Sequence, residues 1–420
     1  GAASGGIDSV APFQSPPEEA MKDVTVVGAG IVGLATARAL LERGDISVRV
    51  LEKEDAVAGH QSTHNSGVLH AGIAYQPGSE KARLAREGIR SMTEFCRHHG
   101  IPHEICGKLV VAVTEAELSR LDPMLERGRL NGLQGVRRVS PDEVREIEPH
   151  VRCLGAILVP EEGIVDYAEV CAAMVREIEA QGGEILVGAG VRRLRRERGG
   201  WSLETPAGDF TTRVLVNCAG LHSDRIARMA GENPGCRIVP FRGEYECLRP
   251  EREYLVRHLV YPVPEPGFPF LGVHFTRRIH GGIDAGPNAV LAFAREGYRL
   301  GTVDLRDLGE TLAFPGLWRF ALRHRRMVAR ELAQSVDRRR FVAALRRLVP
   351  EIQDDDLVPG GSGVRAQAML PSGDFVHDFL WVEGPGAVHV VNAPSPAATA
   401  SLAIGDEVAR RARAQLASLR

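Results

Sequence analysis

Three glycines near the amino terminus have the spacing of a turn that binds a nucleotide. Gly28, Gly30 and Gly33 follow a largely apolar run at residues 24–27 and precede residues 31–43, which have helical periodicity. The first glycine permits a tight turn, the second allows a pyrophosphate to approach the backbone, and the third allows the helix to lie close to the strand. The phosphates would bind at the amino terminus of that helix. The pattern therefore predicts a dinucleotide site.

An acidic residue stands where such a site needs one. A second apolar run, residues 48–51, ends at Glu52, roughly 20 residues after the glycines. A carboxylate there accepts hydrogen bonds from ribose hydroxyls and repels a 2′-phosphate, so FAD or NAD fits better than NADP. A glycine-rich turn without a ligand is the alternative. We favour the dinucleotide because strand, glycines, helix, strand and acid occur in the required order.

Composition limits the class of protein. The chain has 420 residues, of which 44% are hydrophobic and 25% charged, with a formal net charge of -2. These values are typical of a globular chain of two or three domains and give no argument for a nucleic-acid partner. The seven cysteines lack CxxC spacing, so we predict neither a disulfide framework nor a metal site.

Location is predicted from what the chain lacks. It has no apolar run of about 18 residues and no basic region followed by an apolar one, so we expect a cytoplasmic protein without a membrane span. Residues 1–21 are rich in Gly, Ser, Pro and Ala, and we expect a disordered leader or an expression remnant.

Changes of pattern along the chain predict an α/β protein with two interleaved domains. Strand and helix signals alternate in three stretches, whereas residues 236–350 are first β-rich and then helical. We assign residues 22–100, 151–235 and 355–420 to a discontinuous cofactor domain, and residues 101–150 and 236–354 to a substrate domain.

One arginine-rich section has two possible interpretations. In residues 317–350, helical periodicity brings an apolar set of side chains near one face, namely Trp318, Leu322, Ala329, Leu332 and Val336. Such a face suits an anionic membrane surface, which would make the protein peripheral at the inner face of a membrane. A solvated helix that packs on its own domain is the alternative that we favour.

Several longer strings resemble one family of flavoproteins. They are HNSGVLHAG, GIVDY, FRGEY, YPVP, PFLGVHFT, GPNAVLAFAREGY, GVRAQ and NAPSPAAT, distributed between residues 22 and 410. They are similar to the L-2-hydroxyglutarate dehydrogenase family of the D-amino-acid-oxidase-like superfamily. The resemblance implies a Rossmann-like FAD-binding domain of the D-amino-acid oxidase (glutathione-reductase-2) type, with a discontinuous α+β substrate domain on a mostly antiparallel sheet. It also implies oxidation of L-2-hydroxyglutarate to 2-oxoglutarate, with electrons passing from FAD to a quinone or another acceptor.

The resemblance further implies which residues hold FAD. Small and amide side chains after Glu52 suit the ribityl chain and the pyrophosphate, and the residues around Val191 would contact adenine. The turn Asn392–Pro396 and the helix behind it would face the N1/O2 edge of the flavin. The predicted cofactor residues are Gly28, Gly30, Ile31, Val32, Gly33, Glu52, Lys53, Gln61, Ser62, Asn65, Ser66, Gly67, Val191, Ala219, Gly220, Arg365, Asn392, Ala393, Pro394, Ser395 and Pro396.

Oxidation of a 2-hydroxy acid needs a carboxylate anchor and a base. We expect Arg365 to be the anchor, because a guanidinium grips a carboxylate bidentately; a surface arginine paired with an acid is the alternative. We expect His274 to be the base, although a structural core histidine would give the same pattern. His70 competes for that role.

Further donors would serve a second carboxylate. The candidates are Arg242, Tyr245 and His70, while Tyr75 and His70 stand close enough in sequence to the flavin loop to reach the ring. A related amine or amino-acid oxidase, or an enzyme like glycerol-3-phosphate dehydrogenase, is the second hypothesis. A non-catalytic FAD-binding scaffold is the third.

Overall fold

The structure is a computed structural model that describes residues 20–42, 44, 46–265 and 272–419. The leader expected at residues 1–21 lies almost entirely outside the described residues. The strands, in chain order, are β1 (Lys22–Val27), β2 (Val48–Leu51), β3 (Val68–Leu69), β4 (His103–Glu104), β5 (Lys108–Ala112), β6 (Arg137–Val139), β7 (Gly155–Val159), β8 (Gly163–Val165), β9 (Glu184–Leu186), β10 (Arg193–Glu197), β11 (Gly200–Thr205), β12 (Gly208–Asn217), β13 (Arg237–Leu248), β14 (Leu259–Pro262), β15 (His274–Arg277), β16 (Ile283–Gly286), β17 (Val290–Leu291), β18 (Leu357–Met369), β19 (Leu380–Gly384) and β20 (Ala387–Asn392).

The α-helices are α1 (Ile31–Glu42), α2 (Glu80–His98), α3 (Glu115–Leu118), α4 (Leu121–Leu130), α5 (Pro141–Ile147), α6 (Tyr167–Ala180), α7 (Ser223–Met229), α8 (Leu305–Leu312), α9 (Pro315–Arg323), α10 (Arg325–Val336), α11 (Arg338–Arg346) and α12 (Ser401–Ser418). Short 3₁₀ turns cover Gly220–His222, Pro250–Leu255 and Asp354–Asp356.

The first sheet carries the glycine turn. Its strands run in the order β10-β11-β12-β1-β2-β9, and β20 and β19 extend it beside β12. The pairs β1–β12, β1–β2, β2–β9 and β12–β20 are parallel. All four residues of β2 are buried, because helix α1 packs on one face and an apolar cluster that includes Leu194, Trp201 and Phe210 packs on the other.

Four helices, α1, α2, α6 and α12, pack in contacting pairs beside this sheet. Helix α12 contacts α1 and α2, and α6 contacts α1. Glycines make the approach possible: a Cβ at Gly405 of α12 would lie 2.6 Å from the Ala35 backbone of α1, and one at Gly88 of α2 would lie 2.4 Å from the Cα of Ala400. The close contact fixes the amino-terminal end of α12 beside the glycine turn of the sheet.

The second sheet is mostly antiparallel. It has the order β17-β13-β16-β15-β14-β5-β7-β6, with β18 also paired to β13, and β14–β5 is its parallel pair. The longest ladder joins β13 to β18, from Arg237 opposite Met369 to Leu248 opposite Leu357. A third sheet, β3-β8-β4, is small. The predicted combination of a Rossmann-like sheet with a mostly antiparallel substrate sheet is confirmed.

Two strands pair across the predicted domain limits. Strands β7 and β18 belong to the second sheet, although they fall within residues 151–235 and 355–420, which we assigned to the cofactor domain. Strand β7 pairs with β5 and β6, and β18 pairs with β13. The second sheet therefore draws on more of the chain than the predicted limits allow.

The arginine-rich section forms three helices, α9 to α11, rather than one. His324 and Asp337 stand at the interruptions. Three apolar side chains of its predicted face are not packed inside: Trp318 is 53% exposed, Leu322 74% and Leu332 51%. Among the described residues, no helix combines the length and the apolar character needed to cross a membrane.

Candidate active site

The glycine turn between β1 and α1 has the geometry of a nucleotide cradle. Gly28 has a φ of +102°, which favours glycine. A Cβ at Gly33 would lie 1.9 Å from the carbonyl oxygen of Gly28, so only glycine allows α1 to pack against the turn. The Ile31 N–H at the start of α1 donates to Oγ of Ser62 (2.8 Å). This cradle fits a pyrophosphate bound at a helix amino terminus.

Glu52 lies beside this turn, as the sequence predicts. It is 7% exposed at the end of β2. One carboxylate oxygen accepts the N–H of Ala29 (2.8 Å), and the other accepts the N–H of Glu54 (3.0 Å). The bonds fix the carboxylate next to the first glycines, where it can accept hydrogen bonds from a ribose.

A cavity of about 360 Å³ extends from the glycine turn to the second sheet. Many of the predicted residues line it, namely Gly30, Ile31, Val32, Gln61, Ser62, Asn65, Ser66, His70, Gly220, Tyr245, His274, Arg365, Ala393, Pro394, Ser395 and Pro396. The cavity thus joins the cradle to the side chains that we expected to act on a substrate.

Other predicted residues do not line this cavity. They are Gly28, Gly33, Glu52, Lys53, Gly67, Tyr75, Val191, Ala219, Arg242 and Asn392. The Asn392 amide donates to the carbonyls of Val376 (3.0 Å) and Asp378 (2.8 Å), which fixes the end of β20 before the turn. Tyr75 lies against Ser395, and burial raises the pKa of its phenol. The hydrogen bonds of Asn392 and the contact of Tyr75 with Ser395 hold the turn that lines the cavity.

Arg242 corrects one expectation. It is 1% exposed, and its Nη2 lies 3.0 Å from Oε1 of Glu244. Successive side chains of a strand project to opposite faces, so Arg242 and Glu244 of β13 point away from the side where Gly243 and Tyr245 line the cavity. The structure therefore does not place Arg242 where a second substrate carboxylate would bind.

His70 belongs to a buried charged group that the sequence did not reveal. Its Nδ1 lies 3.3 Å from Oε2 of Glu162, and Nζ of Lys108 lies 2.6 Å from the same oxygen. Glu162 is 1% exposed and also accepts the N–H of Ala71 (3.2 Å). Burial by itself raises the pKa of Glu162, but Lys108 and His70 lower it to about 2. The carboxylate is therefore ionised, so His70 donates its Nδ1–H and presents Nε2 elsewhere.

His274 has a different environment. It is 5% exposed, its Nδ1–H donates to the carbonyl of Gly272 (2.8 Å), and its ring stacks on Tyr261 with centroids 3.9 Å apart. Burial lowers its pKa to about 3, and the positive charge of Arg365 contributes to the shift. His274 is therefore neutral at ordinary pH, with an Nε2 that accepts hydrogen bonds.

Arg365 reaches the cavity from β18. Its Nη1 donates to the carbonyl of Asn288 (3.4 Å). Burial lowers its pKa, while Tyr245 and Glu331 oppose that shift. Even a lowered guanidinium pKa leaves arginine charged, so the cavity holds a permanent cation close to His274 and Tyr245.

The turn after β20 is tied to the loop that carries His70. The Thr399 hydroxyl accepts the His70 N–H (3.1 Å), donates to the Val68 carbonyl (3.1 Å) and lies 2.8 Å from the Tyr167 hydroxyl. The turn Asn392–Pro396 leads into α12 through residues 397–400. These bonds hold two segments that are more than 300 residues apart on one side of the cavity.

Lys81 also lines the cavity, although the sequence did not indicate it. Its Nζ lies 4.8 Å from the ring centre of Tyr75, and burial lowers its pKa to about 8, against the attraction of Asp378. Lys81, Lys108 and Glu162 escaped prediction because no spacing rule marks them. The one available signal was that Glu162 directly precedes the string GIVDY.

Comparisons with known proteins agree with this geometry. A family model described as FAD dependent oxidoreductase matches residues 23–411. The chain is 46% identical over 387 residues to L-2-hydroxyglutarate dehydrogenase of Indibacter alkaliphilus, covering 92% of this chain and 97% of the relative. It is 42% identical over 400 residues to the enzyme of the same name from Escherichia coli K12, covering 95% and 94%.

Solved structures show the same fold. The FAD-bound L-alpha-glycerophosphate oxidase of Mycoplasma pneumoniae superposes with a TM-score of 0.77 at 20% identity, covering 94% of this chain and 95% of that one. Glycine oxidase of Geobacillus kaustophilus gives 0.69 at 20% identity, covering 93% and 95%. At such low identities the likeness extends to the architecture and not to the substrate.

Proposed function

Because this chain belongs to the L-2-hydroxyglutarate dehydrogenase family of FAD-dependent oxidoreductases, we propose that it oxidises L-2-hydroxyglutarate to 2-oxoglutarate. FAD is the cofactor, and when bound it supplies the acceptor for the hydride from the substrate Cα. The observation that carries the proposal is the cavity that joins the glycine turn to Arg365, His70 and His274. Related amino-acid and glycerophosphate oxidases share the fold but are not favoured by the sequence identities.

Arg365 anchors the carboxylate next to the reacting carbon. A guanidinium binds a carboxylate through two parallel hydrogen bonds and so fixes its orientation as well as its position. Tyr245 lines the same part of the cavity, and burial raises the pKa of its phenol, so it stays a hydrogen-bond donor. We assign to Tyr245 the role in binding the second carboxylate that Arg242 cannot fill.

His70 accepts the hydroxyl proton. An imidazole that accepts a proton becomes a cation, and the ionised Glu162 at its Nδ1–H stabilises that cation. His274 has only a neutral carbonyl at its Nδ1–H, and its pKa of about 3 makes it a poor base. We therefore assign the base to His70 and a positioning role, through Nε2, to His274. This assignment reverses the preference drawn from the sequence.

A substrate screen without oxygen tests the proposed reaction. The purified FAD-loaded protein is mixed under nitrogen with L- and D-2-hydroxyglutarate, malate, lactate, glycerol 3-phosphate or sarcosine, and the flavin absorption is followed. We expect rapid bleaching by L-2-hydroxyglutarate and little by its D enantiomer. Bleaching by sarcosine or glycerol 3-phosphate instead would favour the related oxidases, and no bleaching by any compound would favour a scaffold.

We also propose that electrons leave to a membrane quinone. The basic segment, residues 315–347, contains ten arginines and two acidic residues. Apolar side chains are exposed within or close to it, among them Leu305 (84%), Leu322 (74%) and Trp318 (53%). Exposed apolar side chains flanked by arginines suit an anionic lipid surface, where they insert while the arginines contact headgroups. Peripheral contact of this kind would bring the flavoprotein to a lipid-soluble acceptor.

A further inference from the structure

A short segment that follows β17 is anchored by a buried ion pair. Arg295 is 2% exposed, and Asp224 near the start of α7 is 0% exposed. Arg295 forms two contacts with the Asp224 carboxylate, one of them very short, and also donates to the carbonyl of Leu221 (2.6 Å). Moving Arg295 away from Asp224 would leave a buried charge without a partner, which costs several kcal/mol. The pair therefore fixes residues 295–298 against the first sheet.

The next residues of this segment contact the loop that follows Glu52. Oε1 of Glu296 lies 2.8 Å from Nζ of Lys53 and 2.8 Å from Nε2 of His222. Burial raises the pKa of Glu296, but His222 and Lys53 outweigh it and lower the pKa to about 2, so the carboxylate is ionised. The ion pair with Lys53 is partly exposed and should respond to salt.

Tyr298 contacts the same loop farther along. Its hydroxyl lies 2.9 Å from Nδ1 of His60, and its ring centre lies 4.4 Å from that of His64. The carbonyl of Tyr298 accepts the Ser362 hydroxyl (2.6 Å), which ties the segment to β18. We call Glu296 and Tyr298, with their partners Lys53, His60 and His64, the clasp.

The loop held by the clasp lies across the glycine turn. The Ala58 N–H donates to the carbonyl of Ala29 (3.0 Å), and Ser62 accepts the N–H of Ile31 at the start of α1. Residues 58–62 therefore lie directly against the turn and the start of α1, where a glycine motif of this kind binds a pyrophosphate.

We propose that the clasp retains FAD: Glu296 and Tyr298 hold the loop at residues 53–64 closed over the cofactor and so set the rate at which FAD is released. These two residues are positioning residues, since they act through the loop and take no part in the oxidation. Glu54, His60 and Glu296 are also close enough to hold a metal ion. The Lys53 ammonium, however, already lies against both carboxylates, so we assign no metal there.

The release of FAD tests the proposal directly. Glu296→Gln and Tyr298→Phe keep the shape of each side chain and remove one interaction, and they are combined in a double variant. FAD-loaded protein is diluted, and the rise in fluorescence of released FAD is followed. We expect the double variant to release FAD about tenfold faster, because the loss of one or two hydrogen bonds lowers the barrier to loop opening by an amount that corresponds to about that factor. Salt should accelerate release from the unmodified protein and have less effect on Glu296→Gln.

Two matched controls change the same residue types elsewhere. Glu265 pairs with Arg330 (2.9 Å), and Tyr254 accepts a hydrogen bond from Arg252 (2.8 Å); neither Glu265 nor Tyr254 lines the cavity. Glu265→Gln and Tyr254→Phe should release FAD at the unmodified rate. Equal rates in clasp and control variants would overturn the proposal, as would a lower melting temperature with unchanged release. Tyr298→Phe alone provides the answer if the double variant does not fold.

Discussion

The two histidines of the cavity differ in the group that accepts the hydrogen bond from their Nδ1–H. The acceptor for His70 is the carboxylate of Glu162, which is paired with Lys108, whereas the acceptor for His274 is the carbonyl of Gly272. A carboxylate stabilises the imidazolium and a neutral carbonyl does so much less, so the same side chain is suited to proton transfer at one position and to fixed hydrogen bonding at the other.

Glu162→Gln tests this distinction. The amide keeps the shape but loses the charge that stabilises protonated His70, so we expect kcat to fall about tenfold to a hundredfold while KM changes little. Steady-state kinetics with L-2-hydroxyglutarate provides the measurement. Glu161→Gln is the control, since Glu161 pairs with Arg86 outside the cavity. An unchanged kcat in Glu162→Gln would indicate that His274, rather than His70, is the base.

Arg365→Lys tests the carboxylate anchor. Lysine keeps the charge but lacks the two parallel donors, so we expect KM to rise about tenfold or more, together with a lower kcat. The matched control is Arg242→Lys in the adjacent strand, which should lower the melting temperature and leave KM unchanged. The reverse pattern would show that the two arginines have been assigned to the wrong roles.

At the scale of elements, close packing of helix on strand determines the cofactor cradle. Helix α1 lies so close to the turn after β1 that a methyl group on Gly33 would collide with the carbonyl oxygen of Gly28. The second sheet contributes through its register: the β13–β18 ladder decides that Tyr245 and Arg365 reach the cavity. In β13, whose side chains alternate between two faces, the cavity is lined by Gly243 and Tyr245 and not by Arg242 or Glu244.

Gly33→Ala should therefore disrupt the cradle. The added methyl meets backbone rather than a flexible side chain, so the turn or the helix must move; we expect a loss of about 1–3 kcal/mol in the free energy of unfolding and weaker FAD binding. Thermal unfolding and the FAD content after gel filtration measure both effects. Gly309→Ala in α8, where a Cβ meets nothing within 4 Å, should be neutral or stabilising. Equal behaviour of the two variants would contradict the steric argument.

At the scale of the whole molecule, charge is distributed unevenly. The formal net charge of the chain is only -2, yet residues 315–347 carry a net charge of +8. Exposed leucines and a tryptophan accompany these arginines, whereas a solvated helix would show mainly polar side chains. The uneven distribution is the physical basis for the proposed membrane contact, because long-range attraction to anionic lipid acts on local rather than total charge.

Sedimentation with lipid vesicles tests this contact. We expect the FAD-loaded protein to sediment with phosphatidylglycerol vesicles, to do so less at high salt, and to bind phosphatidylcholine vesicles weakly. Leu305→Glu and Leu322→Glu should each weaken binding about tenfold. Leu130→Glu changes a leucine that is 67% exposed in α4 and serves as the control. Equal sedimentation with anionic and zwitterionic vesicles, or an equal loss of binding in all three variants, would refute the assignment of this surface to membrane contact.

The sequence by itself determined the cofactor cradle, the fold class and the family. Gly28, Gly30, Gly33 and Glu52 could be interpreted without a structure because their task depends on local spacing within one strand-turn-helix-strand unit. Long strings such as NAPSPAAT and GVRAQ identified the family. Local backbone requirements and extended similarity are both properties of the linear chain.

Only the tertiary structure decided which side chains share the cavity. Glu162 became visible as the partner of His70 and Lys108 because the turn between β7 and β8 lies beside both side chains. Arg242 was excluded because strand alternation turns it away from the cavity. The choice between His70 and His274 also depended on partners brought together by folding. Burial, pairing and the shifts in pKa that they cause arise from distances through space, and these distances are set by the packing of the two sheets rather than by positions along the chain.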